Sequence, residues 1–267
     1  MSAPVVHSQR VVRRAGLASL FIGLAVCAHG ARVAVPVAST AELASNLERA
    51  RTRVDAYTAD VRLTYFGAKG RLRGTASLAV RRPSSLRYEV FGPHGGVVAA
   101  FATNGRELQA ADFAASRFVY GPATVENLDQ LFGIAPMHLD AAGWVSLLFG
   151  QITVPEGAAL SRDPEGERYV VGWEEGGQTR RVEVDAATFR VVKIVISRGA
   201  EVLSEAEVGA WDGRGLPEAL HLRVPKTGDD VEIKLREVTH DPALDPAVFV
   251  LDLPRGLAPE HLDPLRK

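Results

Sequence analysis

The chain of 267 residues is 46% hydrophobic and 24% charged, enough apolar residues for a large core and enough to exclude wholesale disorder. Its 31 basic against 32 acidic groups give a formal net charge of −1, which excludes the strongly basic balance that drives binding to nucleic acid. One cysteine excludes an internal disulfide framework, an iron–sulfur cluster and a Cys-rich zinc site, while 25 Gly and 15 Pro favour many turns and short strands over long helices.

Residues 1–14 are polar and positive through Arg10, Arg13 and Arg14. They lead into Ala15–Val26, an apolar run of 12 residues. A bilayer-spanning helix needs about 20, so the run has the length of a signal-peptide hydrophobic region. Cys27 closes it in Leu24-Ala25-Val26-Cys27, which resembles a bacterial lipobox whose Cys becomes lipid-modified. Val26 stands where that pattern prefers Gly, Ala or Ser. Ordinary cleavage nearby, for example after Ala28-His29-Gly30, would instead discard Cys27, and retention as an anchor is a third reading. All three place the body outside the cytoplasm. Ala28 rather than Asp follows the Cys, which by resemblance to sorted lipoproteins points to the outer membrane. The expected organisation is a signal peptide at 1–27, a tether at 28–39 and one β-domain at 40–267.

Thr40 is expected to cap a helix over 41–55, with Glu42 in its first turn and Leu43, Leu47, Ala50 and Val54 at helical spacing. The period then changes to two. In Tyr57–Phe66, Val61, Leu63 and Tyr65 alternate with Asp60, Arg62 and Thr64. In Arg71–Arg81, Leu72, Gly74, Ala76, Leu78 and Val80 share a face, and in Leu86–Phe91 so do Leu86, Tyr88 and Val90. This pattern is half-buried antiparallel sheet with one wet face. Further strands are predicted near 97–103, 106–111 and 116–120, with Asn104-Gly105 as a strong hairpin signal. Thr124 then caps a short helix carrying Leu128, Leu131 and Phe132 and ended by Gly133; a second runs over 140–149 with Trp144 and Leu148. Strands resume near 158–162, 168–174, 179–185, 190–197, 201–211, 218–224 and 230–239. The Pro-containing tail after Phe249 should drape over the sheet. The fold class is therefore mainly β, in one domain.

Chemistry is harder to find. HExxH, GxSxG, GxxxxGK[ST] and CxxC are absent, and the seven His (His7, His29, His94, His138, His221, His240 and His261) do not pair at metal-ligand spacing. Neither a metal, a cofactor nor an enzymatic activity is expected. Glu174-Glu175 and Asp229-Asp230 read as solvated turn residues. Gly92-Pro93-His94-Gly95-Gly96 joins two strands and opens no helix, so it lacks the N–H groups of a phosphate cradle. Arg71, Arg73, Arg81, Arg82 and Arg87 read as the wet face of a sheet, with contact to anionic headgroups as a second use. An antiparallel sheet this long must curl to hide its apolar face. The candidates for that face are Val61, Leu63, Leu72, Leu78, Leu86, Tyr88, Val90 and Phe101, with Leu128, Leu131, Phe132, Trp144 and Leu148 from the helices. Small residues on it (Gly74, Ala76, Ala99 or Ala100, Ala102) either leave a cavity or fit a tight interior; both readings stay open.

Several stretches are similar to the LolA/LolB lipoprotein-carrier superfamily. They are the helix leading into Tyr57–Phe66, the run Ala79-Val80-Arg81-Arg82-Pro83-Ser84-Ser85-Leu86-Arg87-Tyr88, and the hairpin Thr103–Leu108. Asn127–Ile134, Ala142–Gly150 and the strand running into Gly92–Gly96 resemble the LolB side more closely. The resemblance implies a half-open, curled antiparallel barrel, with the N-terminal helix and the mid-chain helical pair as its lid, and an apolar cavity that takes acyl chains. It further implies an outer-membrane, periplasm-facing lipoprotein, lipidated at Cys27 and taking part in lipoprotein or lipid transfer, monomeric, with lipid acyl chains or lipoproteins and the membrane surface as partners. Lipid sensing or a structural envelope role on the same fold is the alternative. The receptor-like relatives present an exposed apolar residue at a membrane-facing turn; Pro93, His94 and Gly95 occupy that turn here, with His94 at the matching position.

Overall fold

Alternating apolar residues make strands, and the computed structural model, which describes residues 34–68, 70–131 and 135–262, is one continuous sheet with three helices. After α1 (Thr40–Ala50) come β1 (Ala56–Gly67), β2 (Gly70–Arg81), β3 (Ser85–Phe91), β4 (Val97–Thr103), β5 (Glu107–Asp112) and β6 (Arg117–Pro122). The helices α2 (Val125–Leu131) and α3 (Ala141–Leu148) separate these from β7 (Ala159–Arg162), β8 (Arg168–Glu175), β9 (Gln178–Asp185) and β10 (Val191–Arg198). Then follow β11 (Glu201–Trp211), β12 (Pro217–Val224), β13 (Asp229–His240), a 3-10 turn at Pro246–Phe249 and β14 (Pro259–His261). The 14 strands lie in the order β14-β6-β5-β4-β3-β2-β1-β13-β12-β11-β10-β9-β8-β7. Two antiparallel meanders thus join through the β1–β13 pair, and the sheet curls while keeping two edges.

The concave face holds the core. Tyr57, Ala59, Val61 and Tyr65 are buried along β1 while Asp60 and Arg62 are exposed. The pairing slips between Thr58↔Thr239 and Asp60↔Arg236, where Glu237 of β13 has φ 47°. Such a bulge bends the strand and tightens the curl. Trp144, Val145, Leu147 and Leu148 of α3 are buried against this face, and the buried Tyr57 hydroxyl donates to the Leu148 carbonyl at 3.1 Å. Asp140 caps α3 by accepting from the Gly143 N–H at 2.7 Å. Asp129 of α2 accepts from the His138 N–H at 3.0 Å and lies 3.0 Å from its ring Nδ1, which ties α2 to the residues just before α3.

Three expectations need correction. The cap of α1 is Ser39, whose Oγ accepts from the Glu42 N–H at 3.2 Å; Thr40 Oγ1 donates instead to the Ala158 carbonyl. The helix stops at Ala50, short of 55, because Arg51 is extended and Thr52 Oγ1 accepts from the Val54 N–H, a local bond that competes with helix. Second, residues 34–39 are not a free tether: the Val35 N–H donates to the Ala186 carbonyl at 3.0 Å, the Tyr169 hydroxyl donates to the Val35 carbonyl, and Val37 packs on the core.

Third, the tail does more than drape. Pro259–His261 pair in parallel with Phe118–Tyr120, adding an edge strand that begins on a proline, which has no N–H to contribute. On the convex face of β4–β6, Ala100, Ala102, Ala111 and Phe118 form a second small core with Leu251. Arg81 and Arg87 fasten this segment by donating to the carbonyls of Leu244 (3.1 Å) and Val248 (2.9 Å). The convex face of the other half is wet, with Lys193–Glu205 (2.8 Å), Arg223–Glu207 (2.9 Å) and His221–Asp230 (2.7 Å) as a charged ladder.

Candidate functional site

Between the concave face and the helices lies a cavity of about 320 Å³, at the lower end of the range for ligand sites. Strands β1 to β3 contribute Val61, Leu63, Ala76, Leu78, Tyr88 and Val90, and β4 to β6 add Ala99, Ala110 and Val119. Leu131 of α2 and Trp144 and Leu148 of α3 form the opposing wall. Eight of the candidates read from the sequence therefore meet around one space: Val61, Leu63, Leu78, Tyr88, Val90, Leu131, Trp144 and Leu148. Alanines leave room where larger side chains would fill the interior.

The remaining candidates lie elsewhere. Leu86, Phe101 and Leu128 are fully buried in the packed core beside the cavity, with the Phe101 ring stacked on Tyr88 at 5.5 Å between centroids. Leu72 is a correction: it is 53% exposed. Strand β3 pairs with β2 only from Thr75 to Arg81, so Leu72 projects beyond the end of β3 with β1 alone at its side. Phe132 and Cys27 lie outside the described residues. Pro93, His94 and Gly95 sit in an exposed turn closed by the Gly92 N–H donating to Gly96 O (2.8 Å), and Gly95 takes φ 80°, where a side chain would be strained.

The polar residues bordering the cavity are Asp112, Arg117 and Gln130, none anticipated from the sequence. Arg117 is already engaged with Glu260 of β14 by paired bonds of 2.8 and 2.9 Å, which raise the guanidinium pKa and lower that of the carboxylate. Asp112 accepts from the Ala115 N–H at the β5–β6 turn. Desolvation holds the Tyr88 phenol well above its ordinary range, so it stays neutral. Among the described residues no cluster of three His, Cys, Asp or Glu could hold a metal, and no helix is long and apolar enough to cross a membrane. The arrangement can remove apolar chains from water; among the described residues the cavity border holds Asp112, Arg117 and Gln130 as its polar side chains besides Tyr88 and Trp144. Val119 and Ile233 also line the cavity and were missed, although period-two alternation in their strands marks both.

No family model and no curated protein matches the chain. Solved structures do share its fold. A LolA superfamily protein from Nitrosomonas europaea aligns with a TM-score of 0.57 at 12% identity, covering 80% of this chain and 99% of that one. A domain from Vibrio parahaemolyticus named for outer membrane lipoprotein sorting aligns at 0.58 and 13% identity, covering 78% and 95%. A DUF1329 family protein from Desulfovibrio piger aligns at 0.56 and 10% identity, covering 78% and 94%. The chain therefore has a LolA-like fold: a mainly β, curled open sheet with helices against its concave face.

Proposed function

We propose that this chain is a periplasm-facing lipoprotein of the outer membrane that binds acyl chains in the concave cavity and takes part in lipoprotein or lipid transfer. The observation that carries the reading is the cavity itself: apolar on the strand side and the helix side, with the bordering cation Arg117 already paired to Glu260. Each methylene moved from water into such a lining contributes about 0.8 kcal/mol, so ten would supply roughly 8 kcal/mol before the cost of association. Binding of this kind has little polar specificity, as a carrier of varied acylated cargo requires. The LolA-like neighbours, one of them named for outer membrane lipoprotein sorting, support the reading by analogy of fold.

The proposal includes lipid on Cys27, the single cysteine at the end of its apolar run. One acyl chain binds membrane only marginally, whereas several together hold firmly. Purified full-length protein should yield acyl lipid on solvent extraction, and metabolic labelling with a fatty-acid analogue should mark the wild type but not Cys27→Ser. Lipid-free protein would remove the cavity from the function, and equal labelling of both forms would remove the anchor.

A further inference from the structure

A second cavity, of about 390 Å³, lies on the other side of α3. Trp144 and Leu148 face the acyl-chain candidate, whereas Ala142 and Ser146 of the same helix face this space. Its walls are apolar through Leu47 of α1, Phe149 and Ile152 after α3, and Phe189 and Trp211. Gly150, at φ 63°, allows the close approach, since a Cβ there would sit 2.3 Å from the Trp211 ring.

Among the described residues the charges bordering it are three cations, Arg51, Arg82 and Arg190, and one carboxylate, Glu48. Glu48 is 71% exposed and lies 3.2 Å from Arg51; it and Asp55, which lies outside the cavity lining, are the carboxylates whose charge reaches Arg82, and neither forms an ion pair with it. The Arg82 guanidinium lies over the Phe149 ring, 3.8 Å from its centroid, and its Nε donates to the Val54 carbonyl at 3.1 Å. Its Nη2 is buried with no hydrogen-bond partner among the described residues. Arg190 lies over Trp211, 4.9 Å from the ring centroid. Burial, and then the neighbouring Arg51, push the Arg82 pKa down to about 10, against the opposing pull of Asp55 and Glu48, which offset the loss only in part. The buried Nη2 is closed off from the cavity, so what Arg82 offers a ligand there is the charge of the guanidinium, whose best partner is a carboxylate or phosphate.

We propose that this second cavity binds the anionic headgroup of an amphiphile, a phosphate or carboxylate on an apolar body, with Arg82 and Arg190 as its cations. The ring faces of Phe149 and Trp211 hold the two guanidinium planes, and Leu47, Ile152 and Phe189 receive the adjoining apolar part. The site is independent of what fills the first cavity.

The test is calorimetric titration of the full chain with decyl phosphate below its micellar concentration, decanol and inorganic phosphate. Decyl phosphate should bind at least tenfold more tightly than either of the others. Arg82→Gln and Arg190→Gln should each weaken decyl phosphate at least fivefold and leave decanol unchanged. Ala50→Trp, at an exposed position on the cavity border, should block decyl phosphate with all native side-chain charges retained, and it keeps the test decisive should Arg82→Gln fail to fold. Equal affinity for decanol and decyl phosphate, or unchanged binding in Arg190→Gln and Ala50→Trp, overturns the proposal. Inorganic phosphate binding as tightly as decyl phosphate would make this a free-anion site and overturn the amphiphile.

Discussion

Neighbouring residues on β2 divide the molecule between its two faces. Leu78 lines the acyl-chain candidate, whereas Ser77 points outward between its register partners Asp60 and Glu89. Leu78→Glu should abolish displacement of a fluorescent fatty acid, while Ser77→Lys, which places a cation between two acids, should leave it unchanged. Because a buried charge can unfold a domain, Ala99→Leu is the gentler variant: it fills part of the cavity with apolar atoms. Excluding about three methylenes of ligand would cost roughly 2.4 kcal/mol, well over tenfold in affinity. Full affinity in Ala99→Leu would place the ligand elsewhere. The faces of these residues were legible, because period-two alternation assigns Val61, Leu63, Leu78, Tyr88 and Val90 to one side. Their depth was not. Alternation cannot separate Phe101, packed solid, from Val90, which borders empty space, since that depends on what the helices bring opposite.

At the scale of elements, the first 13 strands and the presence of three helices follow from turns and periodicity, though the cap and the end of α1 do not, and neither does the tail. It has no apolar period, and its order comes from side chains 100 or more positions away: Arg81, Arg87, Gln109 and Arg117. Arg87→Ala removes the bond to the Val248 carbonyl and the pair with Glu89. A loss of roughly 1.5–3 kcal/mol in urea unfolding is expected, the scale of one charge-assisted hydrogen bond. A neutral result would mean that the tail only lies against the sheet. The turn Gly92–Gly96 is exposed, as its Gly and Pro predict, and we propose it as the membrane-facing element. His94→Leu should raise the fraction of protein that floats with liposomes, and keep it raised above pH 7, because an apolar tip gains roughly 1.5–3 kcal/mol on full burial. Unchanged flotation would assign membrane contact to another part of the surface.

At the scale of the whole molecule, no local signal in the sequence announces that β13 returns to pair with β1, because that join is a matter of curl and register. Two acids hold the rim of the sheet at this join. Asp241, just past β13, accepts from the N–H groups of Asp55 (2.8 Å) and Ala56 (3.3 Å) at the start of β1. Asp212, in the β11–β12 turn, lies 2.7 Å from His240 Nε2 and accepts from the N–H groups of Arg214 and Leu216. The backbone donor at Asp55 lowers the Asp241 pKa, with desolvation opposing it. Partial burial pushes Asp212 up, yet its bonds from Leu216, His240 and Arg214 outweigh that and leave it lowered. A carboxylate whose pKa is lower when folded contributes stability above its unfolded value and loses it as pH falls through the folded one. The rim should therefore hold above about pH 4 and weaken progressively below it. Thermal unfolding followed from pH 6 to pH 2.5 should show Tm falling most steeply below about pH 4. Asp241→Asn keeps an acceptor oxygen but cannot titrate, so it should lower Tm at pH 6 and flatten the fall. An equally steep fall in Asp241→Asn and Asp212→Asn would mean that acid opens the sheet at another seam, with the salt-bridge ladder of β10–β13 as the next place to look.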